Sequence, residues 1–411
     1  MVEKETRNIG DDIQAYVIKR FLPRIDYYID RNHLDEFVPK SNEKIATIIN
    51  GWFLQYTLNW PPSPYIHPLP ISMHFTYKDW FWDTTDRAYH LQGYGLEYLK
   101  KIEPIGCRDS HTMKLLNSKG VKTEYTGCMT LTLEKFQGVE KQDYICAVDV
   151  SKEVVEKIRN TTDMEVKEIT HIVPEDYWKL SWDERMQNVE KLLKLYQGAR
   201  AVVSYRLHCA LPCLALGTSV ILLNEEYRND RFGDYTKYIE SCHESDFISG
   251  KVKYDYRNIP IHDEGWKDLR DNLIKRCRDF VANCEKEEMN GADIDIDEYK
   301  EYVIKKSNWL KQTTLESYKR YEELKDKVEE LEKIEKKYKQ KEEEYKQKEK
   351  EQQNCEKQLK EAMFEVEYYH REFDECVNKM ENYKQELEKI KNSKWWKIRT
   401  KIKGENEAKF L

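Results

Sequence analysis

Between residues 142 and 223 short apolar runs alternate with amphipathic ones. They are DYICAVDV, SKEVVEKIRN, EVKEITHIV, then 182–197, RAVVS, 206–216 and SVILL. Strands separated by helices return to the same edge of a sheet each time, so they pair in parallel, and helices must cover both faces. A looser version of the pattern precedes this block. KIATIIN at 44–50 and VKTEYTG at 121–127 read as strands, 93–100 as a helix, and YYID at 27–30 as a short strand. EPIGCRDSHTMKLLNSKG reads as a strand end, a loop and a helix that Asp109 or Ser110 caps and Gly120 closes. Residues 52–75, rich in aromatics and prolines, read as a long irregular stretch. Two α/β blocks in tandem predict two Rossmann-like domains facing one another across a cleft, over 1–138 and 139–290, with a helix at 266–285 closing the second.

The remainder has a different character. After a linker at 291–315, residues 316–392 are dominated by Lys, Glu, Gln and Tyr, and carry a heptad series: Leu324, Leu331, Tyr338, Tyr345, Gln352, Leu359, Val366, Phe373, Met380 and Leu387. This predicts one long C-terminal coiled-coil helix, roughly 100 Å in length at 1.5 Å per residue. It would either join copies of the chain into a homo-oligomer or stand as a solvated single helix. The tail, 393–411, places Trp395, Trp396 and Ile398 among Lys394, Lys397, Arg399, Lys401 and Lys403. That composition suits peripheral contact with an anionic membrane surface, or a basic helix end that pairs with acids.

A net charge of −7 argues against nucleic acid as a partner. The ten cysteines show no C-x-x-C pair, and no spacing fits a metal site. With no leader and no apolar run long enough to span a bilayer, the expectation is a cytoplasmic protein with reduced thiols, lying at most at the inner face of the membrane. Neither metal nor cofactor is predicted.

The most apolar run, AVVSYRLHCALPCLALGTSVILLN at 201–224, carries Arg206 and His208 where a buried strand meets a helix. A helix start offers free N–H groups and a partial positive charge, an arginine adds a planar fork for carboxylate or phosphate, and a histidine moves protons near neutral pH. In an extended turn residues two apart point the same way, so both would face one bound group. The alternative is that Arg206 pairs with an interior acid and His208 is a core histidine.

RNIGDDIQA, GCRDSHTMKLLNSKGVKTEYTG and ARAVVSYRLHCALPCLALGTSVILL follow one another in the order found in polysaccharide pyruvyl transferases, which the chain resembles from residue 7 to about 285. The resemblance implies a glycosyltransferase-B-like fold. It implies transfer of pyruvate, as a ketal, from phosphoenolpyruvate onto the hydroxyls of a sugar or glycan acceptor, for a polysaccharide or cell-surface glycan. It maps donor binding onto Arg206, Leu207 and His208, matches the family's other arginine to Arg108, which would add a cationic group for the donor, and maps the Asn-x-Gly-Asp loop onto Asn8, Gly10 and Asp11. His208 would be the acid/base, and Asp11 or Asp12 would orient or deprotonate the sugar hydroxyl. Trp60 and Trp80 offer themselves as an acceptor platform. Only the polar MVEKETR precedes the loop, where such folds place a buried strand, and the helical tail is extra. Two other functions fit the same pattern. Glu225 and Glu226 after the last strand would suit a nucleotide-sugar glycosyltransferase, and the departures would suit a catalytically degenerate coiled-coil scaffold for glycan assembly.

Overall fold

The computed structural model of the chain describes residues 1–41, 43–53, 58–75, 88–224, 232–259, 264–286, 296–340 and 348–392. It divides into two compact units, one of Met1–Thr76 with Leu96–Asp293, the other of Tyr77–Gly95 with Ile294–Leu411.

The first unit holds two parallel sheets. Strands β1 (Ile45–Trp52), β2 (Ile66–His74), β3 (Ile105–Cys107) and β4 (Thr123–Tyr125) lie side by side in chain order. Helices α1 (Ile9–Lys19) and α3 (Ser110–Ser118) accompany them, as does α2 (Gly93–Lys101) from Leu96 onward. The second sheet has the order β6-β5-β7-β8-β9, with β5 Tyr144–Val148, β6 Glu165–Ile169, β7 Ala201–Ser204, β8 Ser219–Leu223 and β9 Glu240–Cys242. Its helices are α4 (Lys152–Arg159), α5 (Trp182–Gly198), α6 (Leu207–Leu216), α7 (Glu244–Ser249) and α8 (Trp266–Lys286). One apolar cluster spans both sheets, taking Ile48 and Ile71 from the first, Val148, Val202 and Leu222 from the second, and Ile13 and Val17 from α1 between them.

Strand β2 falls inside the stretch expected to be irregular, and Pro68 and Pro70 obscured it. Along Ile66–Pro70 β2 pairs with β1 only, and it meets β3 only at Met73 opposite Cys107. Two prolines spaced by two both withhold their missing N–H from the same side, here the open side, where the sheet loses nothing. The expected strand at 27–30 is instead an extended segment with one bridge, Val2 to Asp30, leading into a 3-10 turn at Arg31–Glu36. Val2 is buried and bonded on both sides, its N–H to the Ile29 carbonyl and its carbonyl to the Arg31 N–H. The polar first residues therefore supply one bridge rather than a full strand.

The second unit corrects the reading of one continuous helix after a linker. Helix α9 (Ile296–Gln340) begins inside the expected linker, because Tyr302, Val303, Trp309 and Leu310 already form a buried stripe at helical spacing. Helix α10 (Lys348–Asn392) packs back along α9. Tyr299 meets Glu386, Tyr318 meets Phe373, and Leu331 meets Leu359, so the two run antiparallel. Of the heptad residues, Leu331, Leu359 and Phe373 serve this hairpin within the chain. Residues 88–95 belong to the same unit, where Tyr89 bonds Ser317 at 2.8 Å and Gly93 lies against Trp309. The side chains of Tyr338, Tyr345 and Gln352, and the basic tail 393–411, lie outside the described residues. Among the described residues no helix is long and apolar enough to cross a membrane.

Candidate functional site

The second sheet reverses its strand order at β5, which has β6 on one side and β7 on the other. The crevice beyond the carboxyl ends at such a reversal is where open α/β sheets bind ligands. Asp149 leaves β5 there in the left-handed region, at φ +51°. Arg206 leaves β7 as the residue before α6 and sends its Nε to Asp149 at 2.7 Å. Asp149 also accepts the Thr170 hydroxyl (2.6 Å) and the His171 N–H (3.0 Å). Burial opposes its ionisation, but these bonds and the guanidinium outweigh that and lower its pKa.

Helix α6 begins at Leu207, so the two-residue alternation expected of Arg206 and His208 does not apply. Arg206 is extended and turns to Asp149, whereas His208 lies in the first helical turn and faces Gly10. A Cβ on Gly10 would come within 3.2 Å of His208 Cβ and 3.3 Å of its Nδ1, so any larger residue there would push the imidazole by a few tenths of an ångström. Leu207 is buried in the apolar cluster and anchors the helix start.

The loop carrying Gly10 is built onto the same edge. Asn8 caps α1 by accepting the Gly10 N–H at 3.0 Å. The Ile9 N–H bonds the His171 carbonyl at 2.9 Å, and the Val173 N–H bonds the Arg7 carbonyl at 3.0 Å. The two acidic residues that follow part company. Asp12 is buried and closed off, taking Arg185 Nε at 2.9 Å and Nη2 at 2.5 Å and the Tyr177 hydroxyl at 2.9 Å. Arg185 also donates to the carbonyls of Glu3 and Lys4. Of the two acids expected to serve the sugar hydroxyl, Asp12 is therefore a structural one. Asp11 keeps an 18% exposed side chain and takes the Thr6 hydroxyl at 2.8 Å and Arg31 Nη1 at 3.2 Å.

Arg31 leads to the carboxyl edge of the first sheet. It pairs with Glu3 as well as Asp11, and its Nη1 would lie 3.1 Å from a Cβ on Gly51, which holds φ +107° near the end of β1. Burial, reinforced by the charge of Arg108, pushes the pKa of Arg31 down to about 10. Arg108 itself follows β3 and is 0% exposed. None of its three guanidinium nitrogens has a hydrogen-bond acceptor among the described residues. Its neighbour Asp109 caps α3 through Oδ1, accepting the Thr112 N–H at 2.8 Å, and bonds His74 Nδ1 through Oδ2 at 2.5 Å. Tyr235, from the chain beyond β8, donates its hydroxyl to the Arg108 carbonyl, and Asp234 accepts the Ser110 N–H at 2.6 Å. Both sheets thus contribute to this edge.

His74, Arg31 and Asp149 escaped the sequence reading. Each is one polar residue at a strand or loop end, with no motif around it. Trp60 is 3% exposed and packs among Phe53, Phe75 and Tyr98, so it is core rather than platform. Trp80, Glu225 and Glu226 lie outside the described residues. No cluster of metal-ligating side chains occurs among the described residues. A cavity of about 700 Å³ opens beside Lys44 and Ile45, at the start of β1 and so at the opposite edge, and none of the residues above lines it.

No curated protein and no solved structure matches the chain. The family model for polysaccharide pyruvyl transferase matches residues 8–227, from the capping Asn8 through β3, the β5–β7 reversal and β8. With more than half of its 411 residues so matched, the chain belongs to the polysaccharide pyruvyl transferase family and is a transferase.

Proposed function

We propose that the chain moves pyruvate from phosphoenolpyruvate onto two hydroxyls of one sugar in a glycan acceptor, forming a ketal. The observation that carries this reading is the buried guanidinium of Arg108. A charge held away from water without acceptors is costly unless an anion completes it. Phosphoenolpyruvate brings a carboxylate and a phosphate, and Arg108, Arg206 and the N-terminus of α6 offer complementary donors.

His208 delivers a proton to the methylene carbon, and C2 becomes electrophilic. One sugar hydroxyl adds to C2 and gives up its proton. A second hydroxyl then displaces phosphate, closing the ketal and releasing its own proton. Asp11, braced by Arg31 and Thr6, orients the acceptor hydroxyl. The two domains would work as a glycosyltransferase-B-like pair, with donor and acceptor meeting between the sheet edges.

Thermal unfolding with phosphoenolpyruvate tests the donor. A ligand at 100 times its Kd adds about 2.7 kcal/mol. Wild type gains stability, Arg206→Ala does not, and His208→Ala binds the donor but fails to turn it over. A wild-type protein stabilised by nucleotide sugars and indifferent to phosphoenolpyruvate would overturn the proposal.

A further inference from the structure

We infer that His74 keeps Arg108 open to an anionic ligand by occupying the carboxylate beside it, and so acts as a positioning residue for the donor site. The inference rests on the donor reading only for the identity of the anion.

Arg108 and Asp109 are adjacent in sequence, both 0% exposed, and of opposite charge. Left to themselves in a low-dielectric interior, such neighbours close into a bidentate pair and neutralise one another. Here they do not. Arg108 Nε stands 3.6 Å from Asp109 Oδ2, an ion pair without a hydrogen bond. Both carboxylate oxygens are already committed. Oδ1 holds the first turn of α3 through Thr112 N–H, and Oδ2 is taken by His74 Nδ1 at 2.5 Å. The imidazole is fixed in turn, with the Thr112 hydroxyl 3.2 Å from the same Nδ1. That hydroxyl also accepts the Phe75 N–H at 3.0 Å, tying the end of β2 to α3.

Asp109 therefore lends Arg108 a counter-charge at a distance but no acceptor. The guanidinium stays buried with its donors unspent. The His74–Asp109 bond makes the difference between a self-satisfied arginine and one that waits for a ligand.

The test is a set of four variants measured for phosphoenolpyruvate binding by calorimetry, with circular dichroism and thermal midpoints checking the fold. In His74→Leu the freed carboxylate turns to Arg108, and affinity falls by about tenfold or more, the worth of a hydrogen bond to a charged group. His74→Gln, whose side-chain amide can still donate to Oδ2, stays close to wild type. Asp109→Asn keeps the cap but loses the competing charge, so it binds as well as wild type or better. The double variant His74→Leu/Asp109→Asn regains the affinity that His74→Leu alone has lost.

A merely structural dyad predicts the reverse: every single variant weakens binding in step with its stability, and the double is worst. That pattern overturns the inference. So does unchanged affinity in a folded His74→Leu when Arg206→Ala abolishes binding, a result that leaves the donor reading intact. If wild type does not bind phosphoenolpyruvate, the donor reading fails, and inorganic phosphate reports on the dyad by itself with the same ordering expected. Binding of neither anion by wild type overturns the inference as well.

Discussion

Arg108 and Arg206 sit at the carboxyl edges of two sheets, each beside an aspartate, yet the two pairs are built in opposite ways. At the second sheet Asp149 reaches Arg206 directly, at 2.7 Å, and the guanidinium is 36% exposed at the rim. At the first sheet Asp109 turns to His74, and Arg108 is buried without an acceptor among the described residues. The rim arginine can exchange its acid for water or ligand at modest cost, because solvent screens both states. The buried one has no acid to exchange, and an arriving anion would be its first acceptor. The contrast teaches that an arginine beside an acid is not thereby spent, and that the second bond of the acid decides. A third pair calibrates the other two. Arg185 and Asp12 are both buried, bidentate and further bonded to Tyr177 and two backbone carbonyls.

The largest effect is expected at that closed pair. Asp12→Ala leaves Arg185 buried with its charge uncompensated, a change worth about 3–5 kcal/mol. Denaturant titration should show it as a lower midpoint, with activity per folded molecule preserved. Asp11→Ala, one residue away, should show the opposite balance, with activity lost and stability nearly kept. Equal destabilisation by both would erase the distinction between the two acids.

Next come the two arginines. Removing a preorganised charge donor costs about 10²–10³ in rate. Arg206→Ala and Arg108→Met should both reach that range in kcat/KM. They should differ in stability. Arg108→Met removes a buried guanidinium that makes no hydrogen bond but also takes a counter-charge from Asp109, which His74 and the Thr112 N–H still hold, so its thermal midpoint should change little. Arg206→Ala strands Asp149, whose remaining bonds from Thr170 and His171 limit the loss. A sharp fall in the midpoint of Arg108→Met would mean that the guanidinium is satisfied inside the fold, and the contrast between the edges would collapse.

Much of the fold was legible from the sequence. The β5–β8 block follows from its period, since a parallel sheet covered on both faces leaves a regular apolar record, and α3 announces itself by its cap. Strand β2 was not legible, because its two prolines read as loop until the one-sided pairing is known. The hairpin was not legible either. A heptad series fixes that a seam exists but not whether its partner is another chain or the same chain folded back. At the site, Arg206, His208, Arg108 and the Asn8–Asp11 loop came from motifs. What the motifs could not carry was partnership. Nothing in RDSHT says that Asp109 bonds a histidine 35 positions earlier, and nothing in SYRLH says that Arg206 and His208 diverge.

The aspartates at the two edges also predict a pH signature. The bond to His74, the nearby Arg108 and the Thr112 N–H overcome the burial of Asp109 and hold its carboxyl below the usual range. Asp149 is lowered for parallel reasons. As pH falls, the unfolded chain takes up these protons first, near pH 4, so stability is present above that range and is lost as pH drops through the folded values. Urea midpoints measured from pH 6 down to pH 3 should decline in wild type, and less steeply in Asp149→Asn and Asp109→Asn. A decline of unchanged slope in both variants would place the acid sensitivity elsewhere.

The smallest expected effect probes the close approach of the Asn8–Gly10 loop to α6. Gly10 has ordinary helical backbone, so alanine costs it no strain in φ, and alanine favours a helix over glycine by up to about 1 kcal/mol. What alanine meets is Asn8 Oδ1 at 3.0 Å and the imidazole of His208 at 3.2–3.3 Å. Stability should therefore shift by no more than about 1 kcal/mol, with either sign, while the imidazole must move by a few tenths of an ångström. Proton delivery to a single carbon depends on position more than binding does. Gly10→Ala should lower kcat severalfold and leave the Kd for phosphoenolpyruvate alone, as measured by single turnover and calorimetry. If the Kd rises and kcat holds, the loop shapes the donor pocket and His208 is not its point of action, which would move the proton donor away from the second sheet edge.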